Sequence, residues 1–339
     1  MTDTVLPIVD ISSDNSDTVA KQLFEAATTL GFVFIEGSGF SDTEVERMFS
    51  LSAEFFSTSL EEKIQFPITY NHGYASLNQE ALDVDDDKKK GDPKEIFNFG
   101  PFEPSAASVE QPLPPTFASN RSELACFASK CHDVSKKLLD LLSVGLELSD
   151  KSWFSCRHDI KKPSGSVLRL LHYPAMKPGE TIMDEIRAGA HTDYGSLTLL
   201  FQREGQNGLE VLSPITKNWV CVPALGPQKT GVCPPIVVNI ADQLSFWTAG
   251  LLRSAYHRVR FSSAAAGTGQ DRYSMAYFCH PADETALEPV PSAQVEAAKL
   301  NGDEDLFEER RNVEIRRTEL DGRILTAGEH LMRRLALSY

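Results

Sequence analysis

Apolar residues in the first part of the chain recur at two different periods. Over residues 17–30, DTVAKQLFEAATTL, Val19, Leu23, Ala26, Ala27 and Leu30 fall at helical spacing, which predicts an amphipathic helix stopped by Gly31. GFVFIEG then reads as a short buried strand, and residues 42–56 return to the helical period with Val45, Met48, Phe49 and Phe55 on the apolar side. From 57 to about 120 the periodicity fades. That stretch contains ALDVDDDKKKGDPKE, whose charge density predicts a solvated surface loop, or a lid over a pocket, since long loops in compact domains are often functional. A long helix is predicted over 122–148, and KKPSG marks the turn after it.

From Val167 the texture changes. VLRLLHYP, HTDYGSLTLLFQ, LEVLS, NWVCVP, PIVVNI, QLSFWT, AYHRVRF and RYSMAYF follow one another as strand-like runs, mostly separated by Gly, Pro, Asn or Asp. Runs this dense predict a sandwich or barrel rather than βαβ units. Beyond about Asp303, EDLFEERRNVEIRR and ILTAGEHLMRRLALSY are helical again, the last segment able to pack on its own domain or on a neighbouring copy. The expected architecture is mainly β with flanking α, in one domain over 1–339 with an N-terminal α/β region (1–120) ahead of helix, β core and C-terminal helices (121–339).

Composition narrows the function. A chain of 339 residues with 41% hydrophobic content buries enough surface to fold without a staple, so a metal here is functional rather than structural. A net charge of −15 does not suit a phosphate backbone, which argues against nucleic-acid binding. The longest apolar runs are too short to span a bilayer, and MTDTVLPIVDISSDNSD lacks the basic and apolar regions of a signal peptide. The six cysteines are scattered with no CxxC pair and read as free thiols of a cytoplasmic protein.

Three segments carry candidate chemistry. Taken as one strand, HTDYGSLTLLFQ puts His191, Asp193, Gly195, Leu197, Leu199 and Phe201 on one face. A buried carboxylate needs a partner or a metal, and an imidazole two residues away can share a divalent cation with it; a structural hydrogen-bonded pair is the other reading. In AYHRVRF, His257 shares the apolar face with Ala255, Val259 and Phe261, as a core histidine or as a third ligand. Two histidines and one carboxylate form the facial triad of non-haem Fe(II) oxygenases. In RYSMAYF, Arg272, Ser274, Ala276 and Phe278 share a face, and a buried guanidinium beside a hydroxyl suits a carboxylate ligand or an internal salt bridge.

With these residues in hand, the chain resembles Fe(II)/2-oxoglutarate-dependent dioxygenases of the isopenicillin N synthase-like type. HTDYGSLTLL, AYHRV and RYS match the HxD…H…RxS pattern in order, and LPIVDIS, GFVFIEG, KEIFNFGP, NGLEV…NWVCVP and VVNIADQLSFWTAG match flanking phrases, from about residue 6 to the C-terminus. The resemblance implies a double-stranded β-helix (jelly roll) with helices packed outside. It implies His191, Asp193 and His257 as iron ligands, Arg272 and Ser274 as the anchor for the distal carboxylate of 2-oxoglutarate, and Tyr173 as a further co-substrate contact. It also implies O2-driven oxidation of a C–H bond of a small molecule with release of succinate and CO2. Hydroxylation is the default outcome, desaturation or ring rearrangement the variants, and ascorbate the reductant. Three departures stand out: Leu171 replaces the asparagine of the NxYxP segment, SSAAAGTGQ lengthens the stretch between His257 and Arg272, and the family's NHG is GSG here.

Substrate contacts are less specified. Arg169 shares strand parity with Leu171 and Tyr173 and so faces an anionic ligand or a structural ion pair; Tyr194 follows the Asp at the pocket mouth although its parity points outward; Phe278 lines the pocket or packs in the core. HGYASLNQEALD resembles the family's variable substrate-covering region. Alternative functions are an oxidase needing no keto acid, an inactive jelly-roll binding module and a zinc hydrolase using the same triad.

Overall fold

The computed structural model describes residues 6–82, 91–102, 110–175, 185–261, 270–300 and 322–338. Twelve strands among them form two sheets. They are β1 (Ile8–Asp10), β2 (Phe32–Glu36), β3 (Gly73–Ala75), β4 (Glu95–Phe99), β5 (Val167–Tyr173), β6 (Glu185–His191), β7 (Leu197–Gln202), β8 (Leu209–Leu212), β9 (Trp219–Cys221), β10 (Ile236–Ile240), β11 (His257–Phe261) and β12 (Arg272–Cys279). The large sheet has the order β1-β2-β10-β7-β12-β5-β4-β3, and the small one β6-β11-β8-β9. The chain crosses repeatedly between them, which is the jelly roll expected from the sequence.

Helices cover the outer face of the large sheet. The first, α1 (Ser16–Thr29), starts where the Asn15 side chain accepts from Thr18 N at 3.1 Å. It ends before Gly31, whose φ of +72° turns the chain into β2; a Cβ there would lie 2.0 Å from the Arg253 carbonyl oxygen. Next come α2 (Asp42–Phe56), opened by a Ser41–Glu44 capping box, then α3 (Leu60–Lys63), α4 (Pro115–Ala118) and the long α5 (Arg121–Gly145). The outer core joins Phe49 and Phe55 of α2, Leu138 and Leu142 of α5, and the outward-facing Leu168, Leu170 and Met275 of the sheet. The inner core lies between the sheets, with Leu171, Ala188, Val259 and Ala276 in one cluster and Phe32, Phe34, Leu209 and Val237 in another. Both faces of β5 and β4 are covered, so neither strand shows polar alternation in its sequence; β4 was hidden in the stretch of weak periodicity for that reason.

Several expectations need correction. HTDYGSLTLLFQ is not one strand: β6 ends at His191, residues 192–196 turn, and β7 begins at Leu197. The residues before it, EIRAGAH, are the strand, too short of apolar residues to show one. QLSFWT is helical through Trp247, in α6 (Asp242–Trp247), with Thr248 capping its end. Its polar–apolar alternation mimics a strand, but every residue of α6 is buried, so the alternation marks no face. Its first two amides also find acceptors in the 193–195 turn, Asp242 N on Asp193 O at 2.9 Å and Gln243 N on Gly195 O at 2.8 Å. The charged loop is not simply solvated, since Asp92, Lys94 and Glu95 at its end are buried. After α7 (Ala293–Leu300) comes the C-terminal α8 (Ala327–Ser338), which packs on its own chain through Ala327, His330 and Leu331. The expected helix EDLFEERRNVEIRR, most of SSAAAGTGQ and the DVDDDKKK centre of the charged loop lie outside the described residues.

Candidate metal centre and co-substrate pocket

His191, the last residue of β6, and His257, the first of β11, are direct partners across that antiparallel pair. Their ring centroids are 4.3 Å apart. Asp193 reaches them from the turn, its Oδ1 lying 3.7 Å from His191 Nε2 and 3.6 Å from His257 Nε2. These three ligand atoms lie within 4.8 Å of one another, the one such cluster of three or more among the described residues.

The surroundings orient each donor. His191 Nδ1 donates to Gly189 O at 2.7 Å and His257 Nδ1 to Ala255 O at 3.2 Å. A carbonyl only accepts, so Nδ1 carries a ring proton in each case and each Nε2 faces the centre. Asp193 Oδ2 accepts from Thr198 Oγ1 at 2.6 Å and Asn239 Nδ2 at 2.8 Å, which leaves Oδ1 for the centre. Burial holds the His191 imidazole neutral, with a pKa of about 3. Burial also acts to lower His257, but the Asp193 carboxylate outweighs it and raises that group. Burial acts to raise Asp193, and His257, His191 and Thr198 together hold it well below the usual carboxylate range. An anionic oxygen and two imidazole nitrogens converging in a buried site fit a divalent cation, which would replace the proton that His257 otherwise shares with Asp193. Sequence reasoning missed Thr198 and Asn239, although an asparagine inside the apolar run PIVVNI was a signal. Thr198→Val is expected to weaken Fe(II) binding by about 10–100-fold, checked by competition with a chelator.

Further in, Arg272 is 4% exposed. It donates to Gln206 O at 3.0 Å, Gln202 Oε1 at 3.2 Å and Ser274 Oγ at 3.4 Å, and its guanidinium lies 4.9 Å from the centroid of the Tyr173 ring. All of these partners are neutral, and among the described residues no carboxylate forms an ion pair with it; burial pulls its pKa down. A buried cation with only neutral partners can take an anion as its counter-charge. The internal salt bridge, the other sequence reading of Arg272, is therefore not found there. Tyr173, Arg272, Ser274 and Leu171 line one cavity with all three members of the His–Asp–His cluster.

An adjoining outer cavity is lined by Arg169, His191, Asp193, Tyr194, Phe278 and residues of α8. Arg169 faces inward, as its parity predicts, and is also ion-paired, with Nη1 3.1 Å from Glu80 Oε1 and Nε donating to Asn98 Oδ1 at 2.8 Å. Lys94 joins the same buried network, 2.9 Å from Glu80 and 2.5 Å from Asp92. Glu80, Asp92 and Lys94 were not anticipated as site residues, because nothing local in the sequence announces such a pairing. Tyr194 reaches the cavity despite its outward parity, since it lies in a turn; its hydroxyl is 2.6 Å from Ser338 Oγ and Arg334 lies over its ring. Phe278 lines both cavities, with the Arg169 guanidinium 5.2 Å from its ring centroid. No helix among the described residues is long and apolar enough to cross a membrane.

Comparison with known proteins agrees with this geometry. Residues 6–119 match the family described as non-haem dioxygenase in morphine synthesis N-terminal, and residues 164–281 match the 2OG-Fe(II) oxygenase superfamily. The chain is 33% identical to UPF0676 protein C1494.01 of Schizosaccharomyces pombe, over 98% of this chain and 92% of that protein. It is 30% identical to the 2-oxoglutarate-dependent dioxygenase FG08081 of Gibberella zeae, over 80% of this chain and 77% of that one. The crystal structure of a full-length Neurospora crassa protein in complex with alpha-KG superposes with a TM-score of 0.74 at 26% identity, covering 99% of this chain and 98% of that one. A keto-acid-independent oxidase is not favoured beside relatives of this kind. With its sheets, its helices and its sequence all pointing the same way, the chain belongs to the 2OG-Fe(II) oxygenase superfamily and is an Fe(II)/2-oxoglutarate-dependent oxygenase.

Proposed function

We propose that His191, Asp193 and His257 hold Fe(II), that Arg272 with Ser274 and Tyr173 anchors the distal carboxylate of 2-oxoglutarate, and that the enzyme oxidises a C–H bond of a small organic molecule seated beside Arg169, Tyr194 and Phe278. Fe(II), when bound, supplies the O2 chemistry that couples this oxidation to release of succinate and CO2. The protein's own part is positional. Gly189 O and Ala255 O keep both Nε2 atoms turned to the metal, and Thr198 and Asn239 fix which carboxylate oxygen faces it. Arg272 and Ser274 hold the co-substrate by its far end, while Leu171, Ala188, Val259 and Ala276 keep the space between the sheets apolar and exclude water. One domain over residues 1–339 carries the whole site. A cytoplasmic setting suits the six free cysteines, and ascorbate is the expected reductant.

The observation that carries this reading is the buried Arg272 cation, with only neutral partners among the described residues, on the same cavity as the His–Asp–His cluster. Anaerobic addition of Fe(II) and then 2-oxoglutarate is expected to produce the visible absorption of an iron–keto acid complex. A screen of small molecules for stimulated succinate formation, with mass spectrometry of the product, then separates gain of oxygen from loss of hydrogen. No absorption with both added, or turnover that persists with Zn(II) and no O2, overturns the assignment.

A further inference from the structure

The inward face of β12 continues one residue past its end. His280 keeps the even parity of Arg272, Ser274, Ala276 and Phe278, is 5% exposed, and lines the outer cavity together with His191 and Asp193. Its backbone is pinned on both sides, with its N–H donating to Ser166 Oγ at 3.0 Å and its carbonyl accepting from the same hydroxyl at 3.2 Å. Two glycines clear room for the ring. A Cβ on Gly195 would lie 2.8 Å from Nε2, and one on Gly165 would lie 3.0 Å from Nδ1. The imidazole is therefore held in place, yet neither of its nitrogens forms a hydrogen bond among the described residues, and Nδ1 is fully enclosed without a partner. His158, buried nearby, uses both of its nitrogens, on Phe154 O at 2.8 Å and Ser196 Oγ at 2.9 Å. A buried polar group without a protein partner calls for another one, which water, an ion or a ligand can supply.

We propose that His280, placed on the cavity wall beside His191 and Asp193 with its Nε2 unspent, is a specificity-determining residue that hydrogen-bonds an uncharged polar group of the substrate, such as a hydroxyl, carbonyl or lactam. This rests on the assignment of the metal centre and the outer cavity made above. Burial, helped by His330, pushes the His280 pKa down to about 3, so the ring carries no charge, and with Nδ1 enclosed it is Nε2 that a ligand can reach, as donor or as acceptor according to the tautomer. The rest of the wall supports a neutral substrate end. Val167, Leu331 and Leu335 are aliphatic, and Glu80 is already engaged by Arg169 and Lys94. A carboxylate pressed against this wall would lose hydration without gaining a counter-charge from His280.

The test uses the full chain loaded with Fe(II) and 2-oxoglutarate under nitrogen, with three ring-sized probes: 2-piperidone (neutral, donor and acceptor), benzene (apolar) and cyclohexanecarboxylate (anionic). Proton relaxation of each probe by the bound iron, against a Zn(II)-loaded blank, reports both affinity and proximity to the metal. 2-Piperidone is expected to bind tightest. His280→Phe should weaken it about tenfold, the scale of one neutral hydrogen bond in a buried site, and leave benzene nearly unchanged. His280→Gln, which keeps a donor and an acceptor, should retain part of the preference and decides the matter where the Phe variant fails to fold. Tightest binding by the carboxylate, equal 2-piperidone affinity in wild type and His280→Phe, or no iron-induced relaxation of 2-piperidone where benzene shows it, overturns the proposal. An intact iron–keto acid absorption with any of these results leaves the metal and co-substrate assignment standing, whereas its absence in the wild type removes both.

Discussion

Asp193→Ala is expected to lower substrate-coupled 2-oxoglutarate turnover by about a thousandfold or more, since a bound metal's Lewis-acid contribution of several kcal/mol is lost with its anionic ligand. The imidazoles of His191 and His257 remain, but neither brings charge to a divalent cation. The substitution also strands the Thr198 hydroxyl and the Asn239 amide, which both donate to Asp193 Oδ2. Asp193 reaches the centre from a turn and not from a strand, so the surrounding ladder between β6 and β11 does not depend on it. A loss of iron stoichiometry in a folded protein, destabilised by about 1–3 kcal/mol for each stranded donor, is therefore the expected pattern. Asp193→Ala that keeps one Fe(II) per chain and normal turnover would sink the metal assignment.

The turn explains how His191 and Asp193 come together although the strand-face spacing that singles them out does not hold there. Period-two parity holds where the backbone is extended, and β12 is extended over its whole length, so Arg272, Ser274 and Phe278 share a face as the spacing predicts. The same parity does not hold across residues 191–193, where the strand has already ended. His191 and Asp193 still converge because the chain turns back there and the first amides of α6 hold the turn's carbonyls. That support comes from residues some fifty positions on, and local periodicity carries no trace of it. Glu80, Asp92 and Lys94 were illegible for the same reason, since a buried ionic network looks like surface charge until the fold brings its members together. Burial on both faces hid β4, and burial all round made α6 look like a strand. In each case tertiary environment overrode a local pattern.

Arg272→Met is expected to separate the fold's interest from the enzyme's. Truncating one partner of a buried charge pair costs about 2–5 kcal/mol, so 2-oxoglutarate affinity should fall by a factor on the order of 10² to 10³. Titration of the iron–keto acid absorption reads this directly, and turnover at saturating co-substrate should fall much less, because in the proposed assignment the guanidinium would hold the end of the molecule that does not react. Stability should move the other way. In the protein without co-substrate, Arg272 is a desolvated cation whose hydrogen-bond partners among the described residues, Gln202, Gln206 and Ser274, are neutral, and a methionine of similar length removes that desolvation cost. Without 2-oxoglutarate the variant should therefore be the more stable protein, by on the order of 1 kcal/mol. With co-substrate at a hundred times its dissociation constant the wild type should gain about 2.7 kcal/mol, and the variant almost nothing at the same concentration, so the order of the two melting curves should reverse. An Arg272→Met protein that melts lower in both conditions and still shifts with 2-oxoglutarate would mean that the guanidinium serves the barrel, and that the keto acid is held elsewhere.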